Sequence, residues 1–239
     1  MPTSTKKTSI LILIGGGHAS GKKLACTLIN NELKKRFPNI SLANVDMNDF
    51  QHNTTNEPNS LRNPSRFNFN AIKSKVTALQ ESTDLVIVYG LYALYESELN
   101  KMATVRVFID CDSDVRLGRW IKRDILEPSK ENPSTKEAEA QQLKTLLTSY
   151  LNDSRVEMNQ FIFQTKEYAD VILPRGAETT GITLIVDGLQ PLLTKNRNEE
   201  DAESREAVQH SLRNNTLSGP TVSSLENEHF NNKRFFDMN

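Results

Sequence analysis

A strand that runs into a glycine-rich loop and then a helix constrains this chain more than any other feature. The apolar run Ile10–Ile14 precedes the loop, and leucines at helical spacing follow it. The order fits the pattern G-x-x-x-x-G-K, whose fixed positions are Gly16, Gly21 and Lys22. Glycines let the backbone N–H groups of such a loop turn inward around phosphate oxygens, and the helix N-terminus adds a positive dipole. The sequence therefore predicts a phosphate-binding loop.

The loop departs from this pattern at one position. Lys23 stands where a Ser or Thr hydroxyl normally binds Mg²⁺. The loop amides and the Lys22 ammonium still suit phosphate, so the sequence indicates nucleotide binding and leaves the metal ligands unassigned. The predicted phosphate-contacting residues are Gly16, Gly17, His18, Ala19, Ser20, Gly21, Lys22 and Lys23.

Short apolar runs alternate with helical patterns along most of the chain. This alternation predicts an α/β fold, with a parallel sheet covered by helices on both faces and ligands at the carboxyl ends of the strands. Strands are expected near Ser9–Ile14, Ile40–Val45, Asp84–Tyr89, Val105–Asp110 and Asp170–Leu173. Helices are expected over Lys22–Phe37, Asn70–Glu81, Ala93–Lys101, Asp114–Leu126, Lys136–Thr165 and Ile182–Leu193.

Composition and charge indicate the organisation and the environment of the protein. The 239 residues carry a formal net charge of −1, which gives no overall attraction to nucleic acid or membrane. No apolar run approaches the roughly 20 residues of a membrane-spanning helix, so we expect a soluble protein in the cytoplasm, with a nuclear location left open. Cys26 and Cys111 lack metal-binding spacing and are expected to be reduced. We expect one domain over residues 1–194 and a polar, disordered tail over residues 195–239.

Three further blocks carry a resemblance to a known family. Val107–Ile125 is similar to the family pattern F-V-D-T-D-A-D-x-R-L-x-R-R-x-x-R-D-I, and Leu85–Tyr95 is similar to V-x-x-E-G-I-x-A-F-Y. Thr165–Glu178 matches T-K-K-Y-A-D-V-I-I-P-R-G-A-D almost letter for letter. On these blocks residues 8–193 resemble the uridine/cytidine kinases. The resemblance implies a P-loop NTPase kinase fold with a five-stranded parallel core and a helical lid.

The resemblance also implies an activity. Family members transfer the γ-phosphate of ATP, with Mg²⁺, to the 5′-hydroxyl of uridine or cytidine in pyrimidine salvage. The expected partners are a small-molecule nucleoside and a nucleotide, with neither nucleic acid nor membrane. Family members often form tetramers, so a homo-oligomer stays open. Two usual metal ligands are replaced, because Lys23 stands for a hydroxyl and Tyr89 for a glutamate.

Arginines at helical spacing are the candidate clamps on the phosphates. Arg116, Arg119 and Arg123 fall on one face of an expected helix. Spacing alone also fits a solvated face whose arginines pair with nearby aspartates. The resemblance assigns these arginines to the lid, and the segment Glu127–Ser134 has the composition of a mobile lid. Arg175 follows the last strand, where the family places a loop beside the adenine.

The catalytic base is expected just after the second strand. The family has the motif D-S-F-Y there, and this chain has Asp46-Met47-Asn48-Asp49-Phe50. Asp46 is the better match and Asp49 the alternate, and either would stand near the γ-phosphate at the carboxyl edge of the sheet. Two alternatives stay open for Asp46. It could cap a helix, or it could hold the metal and leave the base role to Asp49.

The nucleoside pocket is reduced relative to the family pattern. Asn70 replaces an aspartate of the ribose-binding segment, and the hairpin that carries H-S-R is absent. His18 and His52 have no acid at a telling spacing, so both are expected on the surface. Candidates for stacking on the base, each of which also suits the core, are Phe67, Tyr92 and Tyr95.

These observations support three hypotheses. The first is an ATP-dependent pyrimidine nucleoside kinase, in which Lys22 binds phosphate, Asp46 is the base, and Arg119 and Arg123 are clamps. The second is a catalytically impaired, nucleotide-binding regulatory protein that keeps the kinase fold. The third is an interaction scaffold that acts through the tail after Lys195.

Overall fold

The structure is a computed structural model that describes residues 9–52, 63–128 and 135–196. Five parallel strands form one sheet in the order β2-β3-β1-β4-β5. The five strands expected from the sequence, and their parallel arrangement, are confirmed. The strands are β1 (Ile10–Gly16), β2 (Leu42–Asp46), β3 (Leu85–Tyr89), β4 (Val105–Ile109) and β5 (Val171–Leu173).

Helices occupy most of the segments between the strands. The helix expected from Ala93 begins later, at Ser97, because the Glu96 side chain caps it by accepting a hydrogen bond from the Leu99 amide. The helix that begins at Ser113 continues through a π-helical turn over Lys122–Leu126. The helix that begins at Lys136 continues through further π-helical turns as far as Ile162. The helices are α1 (Lys22–Arg36), α2 (Phe69–Gln80), α3 (Ser97–Met102), α4 (Ser113–Ile121), α5 (Lys136–Ser149) and α6 (residues 179–196).

The sheet buries a separate apolar cluster on each face. On one face Ile12 of β1 shares its cluster with Ile29 of α1 and Val186 of α6. On the opposite face Leu13 of β1 shares its cluster with Val76 of α2 and other apolar side chains. Burial of each such side chain contributes about 1.5–3 kcal/mol to folding. The helices therefore cover both faces, as the sequence predicts, and β1 is fixed at the centre of the sheet.

The loop after β1 depends on glycines at two points. Gly16 has a φ of 138°, and a Cβ added there would lie 2.5 Å from the carbonyl oxygen of Ile109 in β4. Gly21 has a φ of 103° and forms the N-cap of α1. Both positions lie in the left-handed region that only glycine adopts without strain. The loop therefore packs tightly against the neighbouring strand and turns directly into α1.

Several sequence expectations fall on residues outside the described ranges. These are most of the polar segment Gln51–Pro64, residues 129–134 of the expected lid, and residues 197–239 of the expected tail. The first two residues of that expected tail, 195 and 196, are the last two of α6. Cys26 and Cys111 are buried and free. Within the described part of the chain, no helix combines the length and the apolar character that crossing a membrane requires.

Candidate functional site

A cleft of about 740 Å³ opens at the carboxyl edge of the sheet. The loop after β1 forms one wall, and Asp46 and Tyr89, at the ends of β2 and β3, form the floor. Residues of α4 and of its π-helical continuation form the opposite wall, among them Arg119, Trp120 and Arg123. This is the edge at which parallel α/β sheets bind ligands.

Lys22 lies against the loop that precedes it. Its Nζ donates hydrogen bonds to the carbonyl oxygens of Gly16 and Gly17, at 2.9 and 2.6 Å. Burial and, after it, the charge of Arg116 lower the pKa of Lys22 to about 7, although Asp46 and Glu157 act in the opposite direction. An anionic partner such as phosphate would oppose this lowering and favour the protonated lysine.

Two further features of the loop favour an anion. The first turn of α1 contains no acidic residue, so its unpaired amides and dipole keep their positive potential. The hydroxyl of Ser20 is buried in the cleft wall and has no hydrogen-bond partner among the described residues. A buried hydroxyl without a partner is costly, and an incoming ligand would relieve that cost.

The three candidate clamp arginines occupy different positions. Arg116 is buried behind the loop and donates from Nε to the Cys111 carbonyl oxygen at 2.9 Å. Arg119 lies across the loop, where its Nη1 donates to the Ser20 carbonyl oxygen at 3.3 Å. Arg123 lines the cleft but pairs with Asp124, whose carboxylate accepts from Nη2 at 2.9 Å. The aspartate pairing considered from the sequence alone therefore holds for Arg123, while Arg116 and Arg119 contact the loop region.

The last strand leads into a turn that contacts the same loop. Gly176 has a φ of 95°, and its Cβ position lies 3.0 Å from Arg119 Nη1 and 3.4 Å from the Ser20 carbonyl oxygen. Arg175 is exposed and is absent from the cleft walls among the described residues. The turn thus approaches the loop through the backbone of Gly176.

Asp46 and Tyr89 lie side by side at the ends of their strands. Their Cα atoms are partners in the β2–β3 register. The Asp46 carboxylate caps the short 3₁₀ turn after β2, since Oδ1 accepts a hydrogen bond from the Asn48 amide at 2.9 Å. Burial, and then the charge of Asp46 and a hydrogen bond to it, raise the pKa of Tyr89 to about 12. Asp46 is therefore both a cap and a cleft residue, whereas Asp49 is exposed and outside the cleft walls that the structure describes.

A buried carboxylate that the sequence did not reveal supports this region. The Glu157 side chain is fully buried and accepts three hydrogen bonds: from Tyr92 Oη at 2.7 Å, from Arg66 Nη2 at 2.8 Å, and from His18 Nε2 at 2.8 Å. Burial raises the pKa of Glu157, but the bonds from His18 and Tyr92 outweigh it and hold the pKa below its ordinary value. Glu157 therefore links His18 of the loop to Arg66, which also lines the cleft.

The partner of His18 corrects one sequence-based interpretation. The expectation that His18 is a surface histidine without an acid is wrong, because Glu157 bonds its ring and Trp120 stacks on it at 5.0 Å between centroids. The helical period of 3.6 residues breaks at the π-helical turns Tyr150–Ser154 and Met158–Ile162, so Glu157 could not be assigned to an inward face. His52 is exposed, as expected.

The aromatic residues proposed to stack on a base are not among the described residues that line the cleft. Phe67 and Tyr92 are core residues at 3% and 0% exposure, and Tyr95 contacts Phe69 and Phe161 in a neighbouring cluster. The cleft is instead lined, in addition to the residues already described, by polar side chains that the sequence did not single out, namely Asn48, Gln51 and Arg66.

The residues at the metal position do not fit the Mg²⁺ site of P-loop kinases. Mg²⁺ requires hard oxygen ligands in octahedral geometry. Lys23 and Tyr89 supply an ammonium and a neutral phenol, and the cleft walls within the described ranges carry two carboxylates, Asp46 and Glu127. The described residues include no cluster of three or more His, Cys, Asp or Glu that could hold a metal.

Comparisons with known proteins identify the family of the chain. The model of the Phosphoribulokinase / Uridine kinase family matches residues 21–180. The chain is 30% identical over 198 residues to a Saccharomyces cerevisiae protein named "Putative uridine kinase DAS2", covering 78% of this chain and 80% of that one. It is 28% identical over 218 residues to the uridine kinase of Lactococcus lactis, covering 78% and 98% of the two chains.

A solved structure supports the fold. A Silicibacter protein described as a "putative fructose transport system kinase" superposes with a TM-score of 0.51 at 14% identity, covering 72% of this chain and 92% of its own. Together with the parallel sheet and the loop after β1, this similarity establishes an α/β P-loop kinase fold.

Proposed function

Because the chain belongs to the phosphoribulokinase/uridine kinase family, we propose that it phosphorylates a pyrimidine nucleoside with ATP. Uridine or cytidine would become its 5′-monophosphate, a reaction of pyrimidine salvage. The observation that carries the proposal is one cleft in which the Lys22 loop, Asp46 and the arginines after β4 meet. Phosphoryl transfer requires mainly that a protein position the reactants and neutralise charge, and this cleft offers both.

The residues of the cleft divide the work of the transfer. The amides of the loop and of the first turn of α1 would hold the β- and γ-phosphates, while Lys22 exchanges its two carbonyl partners for phosphate oxygens. Arg119 and Arg123 would stabilise negative charge on the transferring group from the opposite wall. Asp46 would accept the proton of the nucleoside 5′-hydroxyl as that oxygen bonds to the γ-phosphorus. The bond from the γ-phosphorus to the bridging oxygen breaks, and ADP leaves.

The experiment is a coupled assay of purified protein with ATP, divalent cation and uridine or cytidine. We expect nucleoside-dependent formation of ADP and monophosphate, reduced about a hundredfold or more in Asp46→Asn, as for loss of a general base. Asp49→Asn is the matched control, because Asp49 lies outside the described cleft walls and should leave turnover near the wild-type rate. Loss of turnover in Asp49→Asn with full activity in Asp46→Asn would refute the assignment of the base.

A second candidate function has its own supporting observation. The Asn48 amide occupies one oxygen of the carboxylate that would serve as the base, and Lys23 replaces the metal-binding hydroxyl. A protein with these changes could bind nucleotide as a regulatory signal without transferring phosphate. ATP binding that Lys22→Ala abolishes, combined with no turnover at high enzyme concentration, would favour this function over catalysis.

A further inference from the structure

The charge of the cleft is the first step of a further inference. Six cationic side chains line the described part of the cleft, against the two carboxylates of Asp46 and Glu127. Two of the cations have carboxylate partners of their own, since Arg66 pairs with Glu157 and Arg123 with Asp124. The other four cations are Lys22, Lys23, Arg119 and Lys122. Several protein cations can therefore neutralise the negative charge of a nucleotide phosphate chain in this cleft without a bound metal ion.

Lys23 is the cation that most changes the site. It is the second residue of α1, directly after Lys22, and it is exposed to the cleft. Its ammonium carries a positive charge at the place where the loop pattern has a metal-binding hydroxyl. A divalent cation placed beside this ammonium would be repelled, whereas a phosphate oxygen would be attracted.

The floor of the cleft also disfavours a metal. Asp46 Oδ1 already accepts a hydrogen bond from the Asn48 amide. Tyr89, the register partner of Asp46 at the end of β3, has a neutral phenol that contributes no negative charge to a cation. The floor therefore offers a metal one carboxylate, with one of its oxygens already bonded, whereas Mg²⁺ prefers several hard oxygen ligands.

Features of the loop other than charge point to an anion in the same place. The Ser20 hydroxyl is buried and has no partner among the described residues, and Ser20 is one of the residues that line the cleft just before α1. The first turn of α1 contains no acidic residue of its own. An unpartnered buried hydroxyl at a helix N-terminus is a ready donor to a phosphate oxygen.

From these observations we infer that the cleft binds metal-free ATP or ADP, with the Lys23 ammonium taking the place of Mg²⁺ on the phosphate chain. The inference rests on the proposed function only in requiring that a nucleotide occupies the cleft. It concerns the form of the nucleotide that is bound and holds for a kinase and for a nucleotide-binding regulator alike.

The test measures the Kd of ATP by isothermal titration calorimetry, once in excess EDTA and once in excess MgCl₂. We expect the wild-type Kd in EDTA to be equal to or lower than that in MgCl₂. Lys23→Ser should weaken metal-free binding by about tenfold, the loss of one charge-assisted hydrogen bond. The double variant Lys23→Ser, Tyr89→Glu should bind more tightly in MgCl₂ than in EDTA. Lys34→Ser, at an exposed lysine in the last turn of α1, is the matched control and should leave both values unchanged.

Each outcome separates the inference from the function on which it rests. Wild-type ATP binding that is at least about tenfold tighter in MgCl₂ would overturn the inference and leave the proposed function standing. Equal weakening of ATP binding by Lys23→Ser and Lys34→Ser would also overturn it, because the loss of affinity would then come from the general positive charge of the surface. Absence of ATP binding under both conditions would overturn the inference and the nucleotide-binding function together.

Discussion

Replacing Glu157 with glutamine should destabilise the protein by about 2 kcal/mol, because the substitution removes the charge that Arg66, His18 and Tyr92 share. Hydrogen bonds to a charged group contribute about 1.5–3 kcal/mol each, and neutral ones about 0.5–1.5 kcal/mol. In the variant one carboxylate oxygen becomes an NH₂ group that cannot accept a bond, and the remaining oxygen is uncharged, which together would cost about 3 kcal/mol. Part of this is returned, since the variant no longer buries an ionised carboxylate, whose side chain is 0% exposed.

The assay is urea unfolding of the wild type and Glu157→Gln, with Glu167→Gln, a glutamate on the surface, as the matched control. The pKa of Glu157 is lowered in the folded state, so its stabilising contribution is present at neutral pH and is lost as the pH falls through the folded-state pKa. The difference between wild type and Glu157→Gln should therefore be largest near pH 7 and shrink below about pH 4.

A second variant measures how much the Tyr92 hydrogen bond contributes to the stabilisation by Glu157. Tyr92→Phe removes the donor of the bond measured at 2.7 Å and leaves the buried ring in place. In a double-mutant cycle with Glu157→Gln we expect a coupling of about 1 kcal/mol. A cost below about 0.5 kcal/mol for Glu157→Gln, or a cost that is the same at pH 7 and at about pH 3, would refute the reasoning that a shared buried charge holds these elements together.

Further predictions follow from single residues. Gly16→Ala should lower the free energy of unfolding by about 1–3 kcal/mol and weaken ATP binding, because it forces a left-handed residue against the Ile109 carbonyl; unfolding and calorimetry on the same sample test both effects. Between pH 7 and about pH 10 the unfolded chain keeps the Lys22 proton that the folded protein releases, so the stability of the wild type should rise relative to Lys22→Met, and a flat difference would contradict the lowered pKa. Trp120 is the single tryptophan of the chain and lines the cleft, so ATP should change its fluorescence emission, and Trp120→Phe should abolish the signal.

The framework of the fold could be predicted from local patterns. The apolar run before Gly15, the helix after Lys22 and the final block Thr165–Glu178 each carry their own signal, and the strands and most helix ends lie close to the expected positions. The start of α3 was missed because Glu96 caps the helix through its side chain, which a plain hydrophobic pattern does not register. Local chemistry of this kind shifts a helix end without altering its period.

The site was predictable only where its residues are close in sequence. The loop and Asp46 were found from motifs, whereas the bonds of Glu157 reach His18 across 139 positions and Arg66 across 91. No pattern in one sequence encodes such pairs. The π-helical turns on both sides of Glu157 also change which side chains face inward, so helical spacing could not identify it as buried.

The central place of β1 has a consequence for the order in which the chain acquires its structure. β1 precedes both of its partners, since β3 begins at Leu85 and β4 at Val105. During synthesis β1 therefore cannot pair with β3 or β4 until those later segments have emerged from the ribosome. Pairing between segments that are distant in sequence is slow. The loop after β1 rests on Ile109 in β4, so the first part of the site to be translated is among the last to reach its final shape.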